Sequence, residues 1–361
     1  QTYHLDIIHT QTEFGVGMLG KLVARQLKIP VIHTLHTKYE DYVHYIAKGK
    51  ILRPGMVKYI IKSYLFGVDG IIVPSAIVLD IVNGYGVNLE KRVIPTGIEL
   101  NKFVRPEITA EDCVDLRASL GILPDETMLL SLSRIAEEKN IQSIVKHLAT
   151  IRDQVKVKLV IVGSGPYADK LQKLVSDLAL DDIVIFTGLV DNSQTAYYYK
   201  AADFFISAST SETQGLTYIE ALASGTPVLA TDNAYLQSLI TEPVFGRLFA
   251  SDDDIAATIL AAITETPSFD QARYDQKLYE ISAENFALRV YEFYLDKIIS
   301  NDQYLAEKGE SIPSRTARIV RQAPGKTVTT VARTPKKVAY FAKKAIKHAK
   351  ILNKYGKIKL K

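Results

Sequence analysis

Cysteine is nearly absent from this 361-residue chain. Cys113 stands alone, which excludes an intramolecular disulfide and fits a reducing compartment. No uninterrupted apolar stretch approaches the ~20 residues that span a bilayer, so any membrane attachment is expected to be peripheral. Acidic residues are missing from Ser311 to Lys361, where 15 Lys and Arg lie. The chain's 44 cations less those 15 leave 29 against 40 acids elsewhere, a net −11, so the overall charge of +4 conceals an acidic body and a basic appendage. Nucleic acid is the competing polyanion for such an appendage. The body offers no nucleic-acid recognition fold and no aromatic platform for bases, which argues against it. An initiator Met and a signal peptide are also lacking, and the chain enters a strand within a few residues. What is present, 47% apolar and 23% charged residues, describes a globular α/β protein long enough for two cores.

The most informative segment runs from Phe204 to Pro227. Phe204-Phe205-Ile206 predicts a buried strand, the Ser/Thr cluster after it a loop, and Leu216 to Gly225 a helix closed by Gly225 and Pro227. Glu212 falls in the loop and Glu220 in the second helical turn, so two carboxylates flank a helix N-terminus whose free N–H groups and dipole favour an anion such as a diphosphate. Two acceptors for sugar hydroxyls beside a phosphate cradle suit a nucleotide-sugar. Solvent-facing carboxylates before a helix are common, so the company of other strand ends matters. After the strand Met128-Leu-Leu130 come Arg134 and Lys139, a planar fork and a point charge that can reach one phosphate pair. Leu159 to Val162 is a strand running into the turn Gly163-Ser-Gly165-Pro166, and Val184 to Phe186 is a strand ending at Thr187 and Gly188. Strand ends gathered on one side of a parallel sheet are where ligands bind in such folds.

Arg134 with Lys139, Gly163 to Pro166, Phe186 to Gly188 and the Glu212/Glu220 spacing resemble, in order and spacing, the donor half of family 4 retaining glycosyltransferases with the GT-B fold. The resemblance covers residues 90 to 300. It implies two Rossmann-like α/β domains with parallel sheets, the first truncated at its N-terminus; the basic, helical tail expected from the charge pattern follows them. It also implies that Glu212 contacts the donor sugar, Glu220 the ribose, and Arg134 and Lys139 the diphosphate of a UDP-hexose, with no metal or other cofactor. Gly163, Gly165, Gln214 and the backbone of Gly215 and Leu216 would join the donor site, and Thr187 and Gly188 would lie near the base. The family's first domain carries earlier strands and a glycine-rich loop, so about 80 residues are expected ahead of Gln1.

Leu5 to Thr10 and Pro30 to His36 predict two strands bridged by a helix from Val16 to Gln26. His36 ends the second, where an imidazole can hydrogen-bond a reacting hydroxyl. A lone strand-end histidine is more often structural. The family places an active-site histidine in the same Thr-x-His-Thr context, which turns the expectation toward the donor sugar or phosphate. His9 and His33 are expected in the core or behind the site. A narrower resemblance, from His36 to Leu65, is to bacterial diacylglycerol glucosyltransferases. That segment is amphipathic: Lys48, Lys50, Arg53, Lys58 and Lys62 alternate with Ile46, Ile51, Leu52, Met56, Val57, Ile60 and Ile61, and Tyr39 precedes them. Cations can meet anionic headgroups while apolar residues dip into the interface, though a helix packed on its domain with a solvated basic face has the same pattern. From Pro335 to Lys354 an apolar stripe ringed by lysines repeats the theme.

The expected organisation is an acceptor-side domain over 1–100, a linker over 101–124, a nucleotide-sugar donor domain over 125–281, a helix over 282–300 returning to the first domain, and a basic linker and amphipathic tail over 301–361. The function implied is glucose transfer from UDP-glucose to diacylglycerol at the cytoplasmic face of a membrane, in the synthesis of membrane glycolipid and lipoteichoic acid anchors. Addition of a second hexose to a monoglycosyl lipid, a soluble polysaccharide transferase, and a nonenzymatic nucleotide-sugar or lipid sensor are the alternatives. Glucose against galactose and the oligomeric state stay open.

Overall fold

The computed structural model describes residues 5–36, 54–265 and 267–309. Tyr39, Lys48, Lys50, Arg53 and the basic tail lie outside the described residues. The rest divides into two compact units, one from the described residues of Gln1–Pro95 and Glu284–Lys361, the other Thr96–Ala283.

In the first unit, β1 (Ile8–Thr10), β2 (Val31–Thr34), β3 (Gly70–Val73) and β4 (Lys91–Val93) form a parallel sheet in that order. β2 and β3 are buried at every position, as strands covered on both faces must be. One face carries α1 (Gly15–Leu27), α2 (Pro54–Leu65) and α3 (Ala76–Gly84), packed through Ala24, Ile61, Leu65, Val78 and Val82 against Val31, Ile71 and Val73. The other face is covered by the chain's last described helix, whose Val290 and Phe293 pack on Ile32, Ile72 and Ile94. β4 stops at Val93. Pro95 has no N–H to donate to a ladder, and beyond it only Ile98 makes a bridge, to Ser282 within the second unit.

The second unit begins with α4 (Ala110–Ser119), closed at its start by a reciprocal Thr109–Asp112 capping box. Its six strands are β5 (Thr127–Leu132), β6 (Val157–Val162), β7 (Val184–Gly188), β8 (Phe204–Ser207), β9 (Val228–Thr231) and β10 (Gly246–Phe249), parallel throughout in the order β10-β9-β8-β5-β6-β7. α5 (Ile141–Ile151) and α6 (Ala168–Asp177) cover one face together with α10 (Ile255–Thr264). α7 (Thr195–Ala201), α8 (Leu216–Ala223), α9 (Ala234–Leu239) and α11 (Gln271–Glu280) cover the other, with Tyr199, Phe205 and Tyr218 fully enclosed between helices and sheet. α12 (Ala283–Glu307) is the helix that covers the first unit. It continues past Ile299 because Leu305 and Ala306 extend its buried stripe.

Candidate active site

From β5 the chain moves outward through β6 and β7, then returns to the opposite side of β5 with β8 and moves outward again. The loops leaving the carboxyl ends of β5 and β8 therefore diverge, and this reversal of strand order is where open α/β sheets bind ligands. The two cations follow β5 and the two glutamates follow β8, so the topology brings together residues that are far apart in the sequence.

Lys139 sits on a single 3₁₀ turn, Glu137–Lys139, after which Asn140 takes a left-handed conformation and α5 starts. Its Nζ donates to Glu212 Oε1, and Ser209 Oγ donates to the same oxygen at 3.2 Å. Both side chains of the ion pair are about four-fifths shielded, at 20% and 22% exposure, so the pair is screened less than a surface bridge. Arg134 is half exposed and pairs with Glu138, four residues on. Each cation thus faces a carboxylate, and an anion such as a diphosphate would exchange partners with them rather than enter a bare positive well.

α8 starts at Leu216 behind Gly215, which has φ 74° and caps nothing with a side chain. A Cβ there would lie 2.4 Å from the Tyr218 ring, so the left-handed turn and the close approach both demand glycine. The first amides of α8 therefore carry no side-chain cap. Leu216 is exposed beside them. On the next turn Glu220 accepts from Tyr199 Oη at 2.9 Å, and burial raises its carboxyl pKa above the ordinary value. Tyr199 lies on α7, at a distance in sequence that no spacing rule reaches. Gln214 is buried, and its amide is committed within the protein: Oε1 accepts from Thr96 N at 2.9 Å and Nε2 donates to Thr96 O at 2.8 Å.

Gly163 and Gly165 act through the loop that bears Arg134. A Cβ on Gly163 would fall 2.0 Å from Ser133 O, and one on Gly165 2.1 Å from Ile135 O. In place of side chains the two loops share hydrogen bonds, Ser133 N to Val162 O and Ile135 N to Ser164 O, and Gly163 N donates to Gly188 O. Thr187 donates to the backbone carbonyls of Ile161 and Gly188, which ties the end of β7 to the same bundle of loops. Among the described residues no group of three or more His, Cys, Asp or Glu could hold a metal ion.

In the first unit His36 follows β2 and is exposed, with Nε2 2.6 Å from Gln11 Oε1. His33 is fully buried between Glu13 Oε1 at 3.1 Å and Thr10 Oγ1 at 2.9 Å. His9 bridges Tyr294 Oη and Thr34 Oγ1, each at 2.6 Å, and burial together with its histidine neighbours lowers its pKa to about 4. Glu13 and Gln11 carry no motif that the sequence exposes; only a fold that stacks β1 on β2 shows them. On α2, Lys58 and Lys62 are exposed with Met56, Tyr59 and Ile60. Ile61 is a correction: it is 2% exposed in the core, because Tyr64, Leu65 and Ile61 form the inward face of the helix. Lys62 lines an open cleft of about 740 Å³ with Tyr59, Leu65, Phe66, Val87 and Leu89, at the amino ends of β3 and β4 and so at the opposite edge of the sheet from His36. Among the described residues no helix is long and apolar enough to cross a membrane.

The family profile Glycosyltransferase Family 4 matches residues 1–102, and the profile Glycosyl transferases group 1 matches residues 114–278. Parallel α/β units of this kind are the two Rossmann-like domains of the GT-B fold, and the chain belongs to the family 4, group 1 glycosyltransferases. Over 328 residues, 90% of this chain and 74% of the relative, it is 56% identical to alpha-monoglucosyldiacylglycerol synthase of Streptococcus pneumoniae. The protein of the same name from Acholeplasma laidlawii is 32% identical over 84% of this chain and 78% of its own length. Among solved structures, sucrose-phosphate synthase from Thermosynechococcus elongatus superposes with a TM-score of 0.65 at 26% identity, covering 80% of this chain and 73% of that one. Anabaena HepE, solved with UDP and glucose, has a TM-score of 0.60 at 18% identity over 85% of this chain and 78% of that one, which speaks for the fold alone. The family and fold expected from the strand-end residues are borne out.

Proposed function

We propose that this glycosyltransferase moves glucose from UDP-glucose to the free hydroxyl of diacylglycerol, with retention at the anomeric carbon, at the inner face of a cell membrane. The observation that carries the reading is the high identity to a protein named alpha-monoglucosyldiacylglycerol synthase, most of whose length this chain covers. The site geometry supports it. Lys139, Arg134 and the uncapped amides of α8 are the groups that would hold the diphosphate, Glu212 would accept from sugar hydroxyls, and Glu220 from the ribose. His36 would stand near the reacting sugar.

In this reading the lipid hydroxyl attacks the anomeric carbon from the face the diphosphate leaves. The bond from that carbon to the phosphate oxygen breaks as the bond to the lipid oxygen forms, and the departing UDP phosphate takes the hydroxyl proton. Cationic groups and helix amides that stabilise the growing phosphate charge supply the catalysis. Glu212, already ion-paired, is suited to orient the sugar rather than to attack it. The exposed Met56, Tyr59 and Ile60 beside Lys58 and Lys62 give α2 an apolar and cationic surface suited to an anionic leaflet. The product would serve as a membrane glycolipid and as an anchor for lipoteichoic acid.

Purified enzyme with diacylglycerol vesicles should form a monoglucosyl lipid from radiolabelled UDP-glucose and little lipid product from UDP-galactose, with the anomeric configuration of the donor read by proton NMR coupling. Glu212→Ala and Lys139→Ala should each lower turnover by about a hundredfold or more. Near-normal turnover in both variants removes the site assignment. A lipid product formed only from monoglucosyl lipid would move the function to second-sugar transfer, and donor binding without UDP release would make the chain a sensor.

A further inference from the structure

Gln214 lies between the two carboxylates of the candidate site, shortly after Glu212 and directly before Gly215, yet its side chain is turned into the protein and is 5% exposed as a residue. Its Oε1 accepts from Thr96 N at 2.9 Å and its Nε2 donates to Thr96 O at 2.8 Å, so the side-chain amide pairs with both peptide groups of one residue as a neighbouring strand would. The backbone partners fix the orientation of the amide, because a peptide N–H only donates and a peptide carbonyl only accepts. Nε2 also donates to Tyr235 Oη at 3.4 Å, and Tyr235 is itself buried on α9.

Thr96 is the fixed end of this tie. It opens the second unit directly behind Pro95, whose ring locks φ. Further on, Ile98 N donates to Ile281 O at 3.0 Å and Ala283 N donates to Ile98 O at 2.8 Å. A Cβ on Gly97 would fall 2.1 Å from Ser282 O, so the two stretches lie backbone on backbone. The other end carries the chemistry: Glu212, bound by Lys139 and Ser209, precedes Gln214, and the uncapped start of α8 follows it.

We propose that Gln214 is a positioning residue, which by pairing with the Thr96 backbone sets where Glu212 and the first amides of α8 stand, its own side chain serving no donor atom. The inference rests on the reading of Glu212 and those amides as donor groups. Without the tie the loop is free to drift, and a displacement of about 1 Å between catalytic groups and reacting atoms is worth up to about a hundredfold in rate.

The test uses Gln214→Met, which keeps length and apolar bulk and removes both hydrogen bonds to Thr96, together with Glu212→Ala and the double variant. Each is assayed as the purified full chain with UDP-glucose and diacylglycerol vesicles, below its own melting temperature. Gln214→Met should lower kcat/KM about tenfold or more. In the Glu212→Ala background that effect should shrink by about threefold or more, since part of what the substitution displaces is already gone. Hydrogen exchange should find the Thr96 amide protected in the parent and exchanging about tenfold faster or more in Gln214→Met. Parental kcat/KM in Gln214→Met, effects that multiply fully in the double variant, or a Thr96 amide that Gln214→Met leaves unchanged would each defeat the role of Gln214. Near-normal turnover in Glu212→Ala would instead defeat the reading of the site on which that role rests. Should Gln214→Met fail to fold, Gln214→Asn, whose arm is too short to reach both groups of Thr96, takes its place, and parental kcat/KM there overturns the proposal on its own.

Discussion

The ion pair between Lys139 and Glu212 makes two residues of the candidate site depend on each other. Replacing Glu212 by Gln removes the charge that holds Lys139, and the ammonium is then available to a phosphate. Glu212→Gln should bind UDP about three- to tenfold more tightly in calorimetry while losing most glucose transfer, because the diphosphate gains a cation and the sugar loses a charged acceptor. Weaker UDP binding in the variant would mean that Glu212 does not restrain Lys139. Glu220 allows a pH experiment. Its carboxyl pKa is raised in the fold from an ordinary 4.5 by burial, so the native state holds a proton that the unfolded chain releases earlier. Stability from this group is therefore full below the ordinary pKa and declines as pH rises through the higher folded value. Glu220→Gln removes that decline, so without nucleotide the variant should melt at a higher temperature than the parent at neutral pH, yet bind UDP more weakly. A parent and variant with parallel pH–stability curves would contradict the assignment. Arg134, Lys139, Glu212 and Glu220 were legible in the sequence because charge type at a strand end is a local signal. The partners Tyr199 and Gln11, and the grip of Gln214 on Thr96, were not, since only the folded sheet brings them near.

Among elements, the loops at the carboxyl edge of the second sheet are joined backbone to backbone, and that explains glycines which the sequence suggested as ligands. Gly163 has φ 137° and no room for a Cβ against Ser133 O. Gly163→Ala should cost about 2–3 kcal/mol in urea unfolding, from strain and from the parting of two hydrogen-bonded loops. Because Arg134 follows Ser133 directly, UDP affinity should fall with stability, although the substituted residue touches no phosphate in this account. A variant of parental stability would show that the loops give way at no cost. Strand and helix periodicity did predict β5 to β8, α1 and α8, whose apolar runs and glycine endings are local. What it did not predict was order: nothing in β8 itself says that it lies beside β5 rather than β7, and the crevice exists because of that choice. β4 ends before Pro95 because proline has no N–H for the ladder. α12 was drawn too short, since the burial that prolongs it comes from the first unit.

At the scale of the molecule the charge distribution is the property left to test. With residues 311–361 set aside the chain carries a net −11, and a body of that charge is repelled by an anionic leaflet. That negative charge is concentrated in the second unit: residues 1–95 and 284–309 hold 14 Lys and Arg against 12 Asp and Glu, so the exposed lysines of α2 and the cleft lined by Lys62 lie on the less acidic unit. Each engaged Lys or Arg contributes about 1 kcal/mol near such a surface. Five engaged cations of the 15 beyond Glu310 then amount to about 5 kcal/mol, or between three and four decades in partitioning. The full chain should therefore float with vesicles rich in anionic lipid at low salt and be released as salt rises toward 1 M, where the Debye length shrinks to about 3 Å. A chain ending at Gly309 should float far less under the same conditions, while Lys58→Glu with Lys62→Glu in the full chain should cost only the share of two cations and their reversal. Flotation of the shortened chain equal to that of the full one would place the attachment on α2 and its apolar neighbours, with the basic segment free for another polyanion.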